Sequence, residues 1–254
     1  MNKALPEERL IAAIARRILD PACPRTRHVA IGAASPIPSA ASYLARELAS
    51  GVRVSVLYKR HGNPFTDGTQ ELFDLASQGR IDLFFLGGGE IDGAANINLI
   101  GTGEWPGRTF RFPGSFGSAF MYMVVPRTIL FRLEHSRRVL VPRVAHVSAA
   151  GTSPPGVFRR GHADTLVTSK AVFHFAPAPR ARFRLASVHP GETAESIRAA
   201  TGFDYDVADP LEETRGPTED ELTLMRGPVA AAMAPTYPAF VERIWRAAPA
   251  RQRA

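Results

Sequence analysis

The segment from Leu83 to Asn98 constrains this chain more than any other. It reads Leu-Phe-Phe-Leu-Gly-Gly-Gly-Glu-Ile-Asp-Gly-Ala-Ala-Asn-Ile-Asn. A short apolar run closed by glycine predicts a buried strand. Glycines just past a strand let the backbone approach a bound group closely. In open α/β sheets ligands sit beyond the carboxyl ends of the strands. An acidic pair, Glu90 and Asp92, follows, then Asn96 and Asn98. A second glycine turn, Pro113-Gly114-Ser115-Phe116-Gly117, closes the stretch. The whole segment predicts the floor of a binding site. Gly88, Gly89, Gly114, Ser115, Phe116 and Gly117 are its candidate ligand contacts.

The residues before this segment alternate in type. Glu7 to Leu19 predicts an amphipathic helix, with Leu10, Ile11, Ile14 and Ile18 on one face. Pro6 suits its first turn, and Pro21 and Pro24 stop it. His28 to Ala33 predicts a strand, Ser39 to Ser50 a helix ended by Gly51, and Val52 to Tyr58 a strand. Thr69 to Gln78 predicts a helix and Ile81 to Leu86 a strand. Such β-α-β-α-β alternation argues for a parallel sheet. Beyond Gly87 strands dominate: Ala95 to Ile100, Thr109 to Phe112, Arg138 to Val147, Val167 to Phe175 and Ala181 to Val188. Thr193 begins a helix to Ala200. Thr218 begins another, with Glu221 completing a capping box. Gly151 to Gly161 predicts a mobile loop. The expectation is one domain over 1–254, with a C-terminal helix (Pro238 to Arg246) and a loose basic tail in 228–254.

The chain's 254 residues, 45% of them hydrophobic, allow a large core. No apolar run reaches membrane-spanning length, and the N-terminus does not read as a signal peptide. Cys23 is the only cysteine, which excludes an internal disulfide and makes the cytoplasm the expected compartment. A net charge of +7 permits an anionic partner. Only three lysines stand among many arginines, a skew that reads as base composition. No stripe of basic and aromatic residues points to nucleic acid. The seven histidines show no metal-ligand spacing, so no metal is expected. His28, His146 and His174 read as strand residues, and His61 alone falls near the expected site. The glycines after Leu86 and at 101–107 do not make a dinucleotide fingerprint.

The two glycine blocks resemble those of class I CoA-transferase β-subunits, the glutaconate and 3-oxoacid type. Glu90, Ile91, Asp92, Asn96 and Asn98 match the first block of that family. Pro113, Gly114, Ser115 and Gly117 match the second. Ala95 stands where the family has glycine, and Phe116 interrupts its glycine pair. The stretches Val188-His189-Pro190-Gly191 and Pro217 to Leu222 are also similar, so the resemblance runs over roughly residues 25 to 226. It implies a CoA-transferase-type α/β fold (NagB/RpiA-like): a parallel sheet with helices on both faces plus added antiparallel strands. It further implies a separate α-subunit as partner, CoA or acyl-CoA as substrate, and no tightly bound cofactor.

The family's chemistry uses a glutamate just past a strand, which attacks the acyl-CoA carbonyl. Here that stretch reads Tyr58-Lys59-Arg60-His61-Gly62. Anchoring on Gly62 puts Arg60 where the glutamate belongs, and a guanidinium is no acyl acceptor. Arg60, with His61 beside it, becomes a candidate substrate contact, and Glu90 the replacement catalytic carboxylate. Glu90 and Asp92 would equally serve as caps of turn backbone, and Asn96 and Asn98 read as structural residues of that turn. The departure leaves three expectations open: a CoA-transferase with altered chemistry, a hydrolase of the same fold, or a silent partner-binding subunit. The hydrolase branch, which cleaves a steroid-derived ring on a CoA thioester, is similar at His189-Pro190-Gly191 and Pro217 to Leu222.

Overall fold

The computed structural model describes residues 4–104, 107, 110–177 and 179–246. The expected tail beyond Arg246, and Thr109, lie outside the described residues. In chain order the elements begin with α1 (Pro6–Leu19), β1 (His28–Ile31), α2 (Pro36–Leu48), β2 (Arg53–Val56), α3 (Gly68–Ser77) and β3 (Leu83–Leu86). Short strands follow: β4 (Glu90–Ile91), β5 (Ile97–Asn98), β6 (Gly101–Thr102) and β7 (Phe110–Arg111). Then come α4 (Ser118–Val124), β8 (Arg127–Arg132), β9 (His162–Thr168), β10 (Ala171–Ala176), β11 (Arg182–Val188), α5 (Ala194–Ala200) and β12 (Asp206–Glu213). The described residues finish with α6 (Glu219–Leu224), α7 (Ala230–Met233) and α8 (Pro238–Val241), the last continuing as a π turn over Glu242–Arg246.

The chain divides into two compact units. The first joins residues 1–75, 80–82 and 216–254. Its strands β1 and β2 pair in parallel, from His28 with Arg53 to Ile31 with Val56. Helix α1 buries Leu10, Ile11, Ile14 and Ile18 and packs on α2. The C-terminal segment is held to α1 by charge. Arg226 grips the buried Glu8 through two bonds of 2.8 and 3.0 Å. Arg16 binds Glu221 and the Gly216 carbonyl. The capping box is present, with Glu221 N–H donating to Thr218 Oγ1 and Thr218 N–H to Glu221 Oε2. Between α6 and α7 a π turn, Met225–Val229, contains Pro228. Proline has no N–H to give the regular helical ladder, and the wider turn accommodates that loss.

The second unit holds residues 76–79 and 83–215. Its sheet runs in the order β12-β11-β10-β9-β8-β3. Strands β3, β8 and β9 are mutually parallel, β10 is antiparallel to β9 and β11, and β12 is parallel to β11. Aromatic packing of Phe173, Phe183, Phe203 and Tyr205 fills one side, with ring centroids 5.1 to 6.3 Å apart.

Several expected elements differ. The strand expected over Arg138 to Val147 is a loop joined to β4 by one bridge, Ile91 to Leu140; Pro142 cannot donate to a ladder. Consequently His146 is an exposed loop residue and not part of a strand. The strand expected over Val167 to Phe175 is the β9–β10 hairpin, turning at Ser169 and Lys170. The strand expected over Ala95 to Ile100 is only β5, because Asn98 turns its side chain onto the following backbone. Strand β2 stops at Val56 because Tyr58 has a left-handed backbone, φ +59°.

Candidate functional site

Strands β4 and β5 form a small antiparallel hairpin pairing Glu90 with Asn98 and Ile91 with Ile97. Asp92 builds its turn. One carboxylate oxygen accepts from the N–H groups of Ala94 and Asn96, at 3.1 and 3.0 Å. The other accepts from the Asn96 side-chain amide at 3.1 Å and from Val144 N–H at 3.4 Å. Asn96 in turn accepts from Gly151 N–H at 3.0 Å, tying the hairpin to the following loop. Every polar atom of the Asp92 side chain is therefore engaged in holding the turn.

Glu90 differs. Its Oε2 accepts from Asn98 Nδ2 at 2.7 Å and from Ala145 N–H at 2.8 Å. Its Oε1 has no hydrogen-bond partner among the described residues. The side chain is fixed and largely buried, 8% exposed, yet keeps one oxygen uncommitted. Asn98 is saturated: it also donates to Gly101 O and accepts from Ile100 and Gly101 N–H. It is completely buried.

The family positions at which this chain departs from glycine share one backbone feature. Ala95 has φ +60° and Phe116 has φ +43°. Left-handed backbone is where a Cβ is costly and glycine is free. Ala95 is buried, and its carbonyl accepts from the Tyr122 hydroxyl at 3.0 Å. Burial holds that phenol well above its usual range. Arg159 lies 4.8 Å over the Tyr122 ring and donates to the Tyr122 and Ala150 carbonyls. This clamp on the loop was not read from the sequence, where an arginine before Gly161 carries no distinguishing signal.

The glycines after β3 stand where a side chain would clash. A Cβ on Gly88 would lie 2.7 Å from Glu90 O and 2.8 Å from Ile97. One on Gly89 would strike the Phe112 ring at 2.2 Å. The space on the Cβ side of these two glycines is taken by the protein's own atoms. Gly114 is the opposite case, with φ +111° and nothing within 4 Å of the position a Cβ would take. Ser115 and Gly117 are partly exposed and Phe116 is 73% exposed.

Arg60 and His61 lie in the first unit, on the exposed loop after β2. His28 is a satisfied strand histidine, with Nδ1 2.7 Å from Arg80 O and Nε2 2.9 Å from Ser55 Oγ. Burial lowers its basicity. No group of three His, Cys, Asp or Glu residues able to hold a metal ion occurs among the described residues. No helix among them is long and apolar enough to cross a membrane. A cleft of about 590 Å³ is lined by Gly151 to Val157, Arg159, Gly161, His162 and Phe175, with Pro177 and Pro179. None of the expected site residues lines it, so it is not the site that the sequence points to.

Parallel strands alternating with helices define an α/β protein, and its β4–β5 hairpin fixes one carboxylate with a spare oxygen. The chain belongs to the coenzyme A transferase family, whose profile matches residues 7–200. Over 164 residues it is 30% identical to one of the subunits of the 3-oxoadipate CoA-transferase of Pseudomonas knackmussii, covering 62% of this chain and 63% of that one. It is 34% identical over 148 residues to the cholesterol ring-cleaving hydrolase IpdB subunit of Mycobacterium tuberculosis, covering 56% and 57%. The chain thus spans less than two thirds of the length of these relatives. In structure it is similar to the decarboxylase AibA/AibB, with TM-score 0.75, 25% identity, and coverage of 95% of this chain and 99% of that one.

Proposed function

We propose that this chain is the β-type subunit of a heteromeric enzyme acting on an acyl-CoA thioester, with Glu90 as its working carboxylate. The observation that carries this reading is the asymmetry of Glu90: one oxygen is fixed by Asn98 and Ala145, the other uncommitted. A carboxylate held in one orientation is prepared to accept a proton from, or orient, a reacting group. The turn Ser115–Gly117 is the segment that would offer backbone N–H groups to a thioester carbonyl, the Gly114 N–H being spent on Leu99 O at 3.0 Å. Taken by itself, Arg60 on the exposed loop of the first unit has the chemistry to pair with an anionic group through its guanidinium. The relatives named as subunits support a separate α-subunit as partner.

A hydrolase of the same fold is the second reading. It is favoured by the stretch from Leu57 to Thr66, which contains no carboxylate to accept an acyl group. The assay that separates the readings incubates the purified heteromer with an acyl-CoA, with and without a free carboxylic acid as acceptor. Transfer gives a new thioester only when the acid is present. Hydrolysis or ring cleavage gives product in its absence. Glu90→Gln keeps an oxygen for the Asn98 and Ala145 bonds and removes the charge. The reading expects turnover to fall at least about 100-fold with assembly intact. Unchanged turnover would remove Glu90 from the chemistry and favour a catalytically silent subunit.

A further inference from the structure

The loop from Gly151 to Gly161 is held at both ends. Gly151 N–H donates to Asn96 Oδ1 at 3.0 Å, and Gly161 N–H donates to Met123 O at 2.7 Å. Arg159 fastens it further by donating to the carbonyls of Ala150 at 2.8 Å, Tyr122 at 3.1 Å and Gly161. Between these anchors Val157 N–H donates to Pro154 O at 3.2 Å, and the chain turns through Gly156 at φ +84°. The cleft of about 590 Å³ that this loop lines also has Phe175 in its wall. That ring is buried edge-on to Phe183, with centroids 5.0 Å apart. Pro154, Pro155, Pro177 and Pro179 stiffen the lining. A cleft of this size whose walls are already ordered loses little freedom on taking up a small molecule.

The lining is mixed in chemistry. Phe175, Val157 and the prolines offer apolar surface. The side chains of Thr152, Ser153 and His162 have no hydrogen-bond partner among the described residues. Arg159 adds a charge. A guanidinium has five N–H donors, and Arg159 uses three of them, all on neutral carbonyls. No carboxylate pairs with it among the described residues, and neither aspartate nor glutamate lines the cleft. Burial pushes its pKa down, with Tyr122 opposing. A half-buried cation without a counter-charge is unfavourable, and an anion brought beside it relieves that cost.

We propose that this cleft is a second ligand site, which takes an amphipathic organic anion. An apolar ring or short chain lies on Phe175, Val157 and the prolines, and a single anionic head pairs with Arg159. None of the residues used in the acyl-CoA reading lines the cleft, so the inference stands apart from that reading.

The test uses the full chain in the assembly it forms in its own cell, with a pair of fluorescent probes that share one ring system. 1-Anilinonaphthalene-8-sulfonate carries an anionic head, and N-phenyl-1-naphthylamine lacks it. The sulfonate is expected to bind at least about tenfold more tightly than the neutral probe. In hydrogen exchange it should protect amides within residues 151–161. Val157 is exposed, so folding tolerates a charge there. Val157→Glu should weaken the sulfonate at least about threefold more than Val157→Lys does. The neutral probe should bind the two variants alike. The inference is overturned if the sulfonate does not bind, if the two probes bind equally, if the two variants treat the sulfonate alike, or if protection falls only outside 151–161. Displacement of the sulfonate by added CoA overturns it too, because the cleft would then belong to the substrate site. A protein that binds the sulfonate as described but no CoA would sink the acyl-CoA reading and leave this inference standing.

Discussion

Asn98 donates its side-chain amide to Glu90 across 2.7 Å, and the pair lies directly opposite in the β4–β5 hairpin. Since Asn98 is fully buried and uses its oxygen on Ile100 and Gly101, its role is to aim Glu90 while closing the turn. Asn98→Asp would set a second carboxylate against the first. The expected cost is about 2–4 kcal/mol. Urea unfolding beside Asn98→Leu, which removes the amide without adding a charge, checks this; an equal loss in the two variants would mean that the charge is not what matters.

The left-handed residues give a second expectation, in which burial decides the sign. Phe116 is 73% exposed, so Phe116→Gly gives up little packing and relieves a strain of roughly 1–2 kcal/mol. Its greater freedom in the unfolded chain takes back part of that gain. A rise in melting temperature of a few degrees is expected. Ala95 is equally strained but fully buried, and its methyl contributes about 0.8 kcal/mol of burial. Ala95→Gly should therefore move stability by less than Phe116→Gly does. Differential scanning calorimetry of the two variants gives the order, and the reverse order would contradict the account.

Glu8 is completely buried and held by Arg226. Removing Arg226 strands a buried carboxylate, and Arg226→Ala should cost about 3–5 kcal/mol. The double variant Glu8→Leu with Arg226→Met removes both charges and should cost less than the single change. Chemical denaturation of the three proteins checks it. A double variant weaker than the single one would show that the pair itself, and not the desolvated charge, sets the energetics.

His135 makes stability depend on pH. It sits between Thr168 Oγ1, at 2.7 Å, and Thr201 Oγ1, at 3.0 Å. Phe173 faces its ring, with centroids 6.1 Å apart. Burial lowers its pKa to about 4; nearby Lys170 and His189 act in the same direction, and Glu192 opposes them. Unfolded, the imidazole titrates near 6.5, so between these values the unfolded chain binds the proton the folded one refuses. The contribution is complete above pH 6.5 and is lost as pH falls through 4. Its full extent is about 3 kcal/mol. His135→Gln should flatten the acid side of the stability profile; an unchanged slope would remove this cause.

Much of this architecture is legible in the sequence, and the exceptions have physical reasons. The alternation from α1 to β3 is readable because each element has its own apolar period and its own stop. Strand β8, buried from Arg127 to Leu130, was missed because the apolar run of α4 continues into it across Pro126. A buried arginine at its start, paired with Asp164 at 3.1 Å, also disguises it. Strand β12 was missed because its exposed positions are acidic and it contains Pro210, which an edge strand tolerates. The hairpin residues Glu90, Asp92, Asn96 and Asn98 were legible as a group because their spacing in sequence is their spacing in one turn. The second partner that fixes Glu90 is not: Ala145 acts through its backbone N–H, which any residue but proline there would supply. The early end of β2 is not legible either, since the left-handed φ of Tyr58 leaves no mark on composition.

The most direct test of the central claim is native mass spectrometry of this chain purified from its own cell, with and without added CoA. The account predicts a heteromer containing a second subunit of similar size that gains the mass of CoA when the thiol is supplied. A homo-oligomer that takes up no CoA would contradict it.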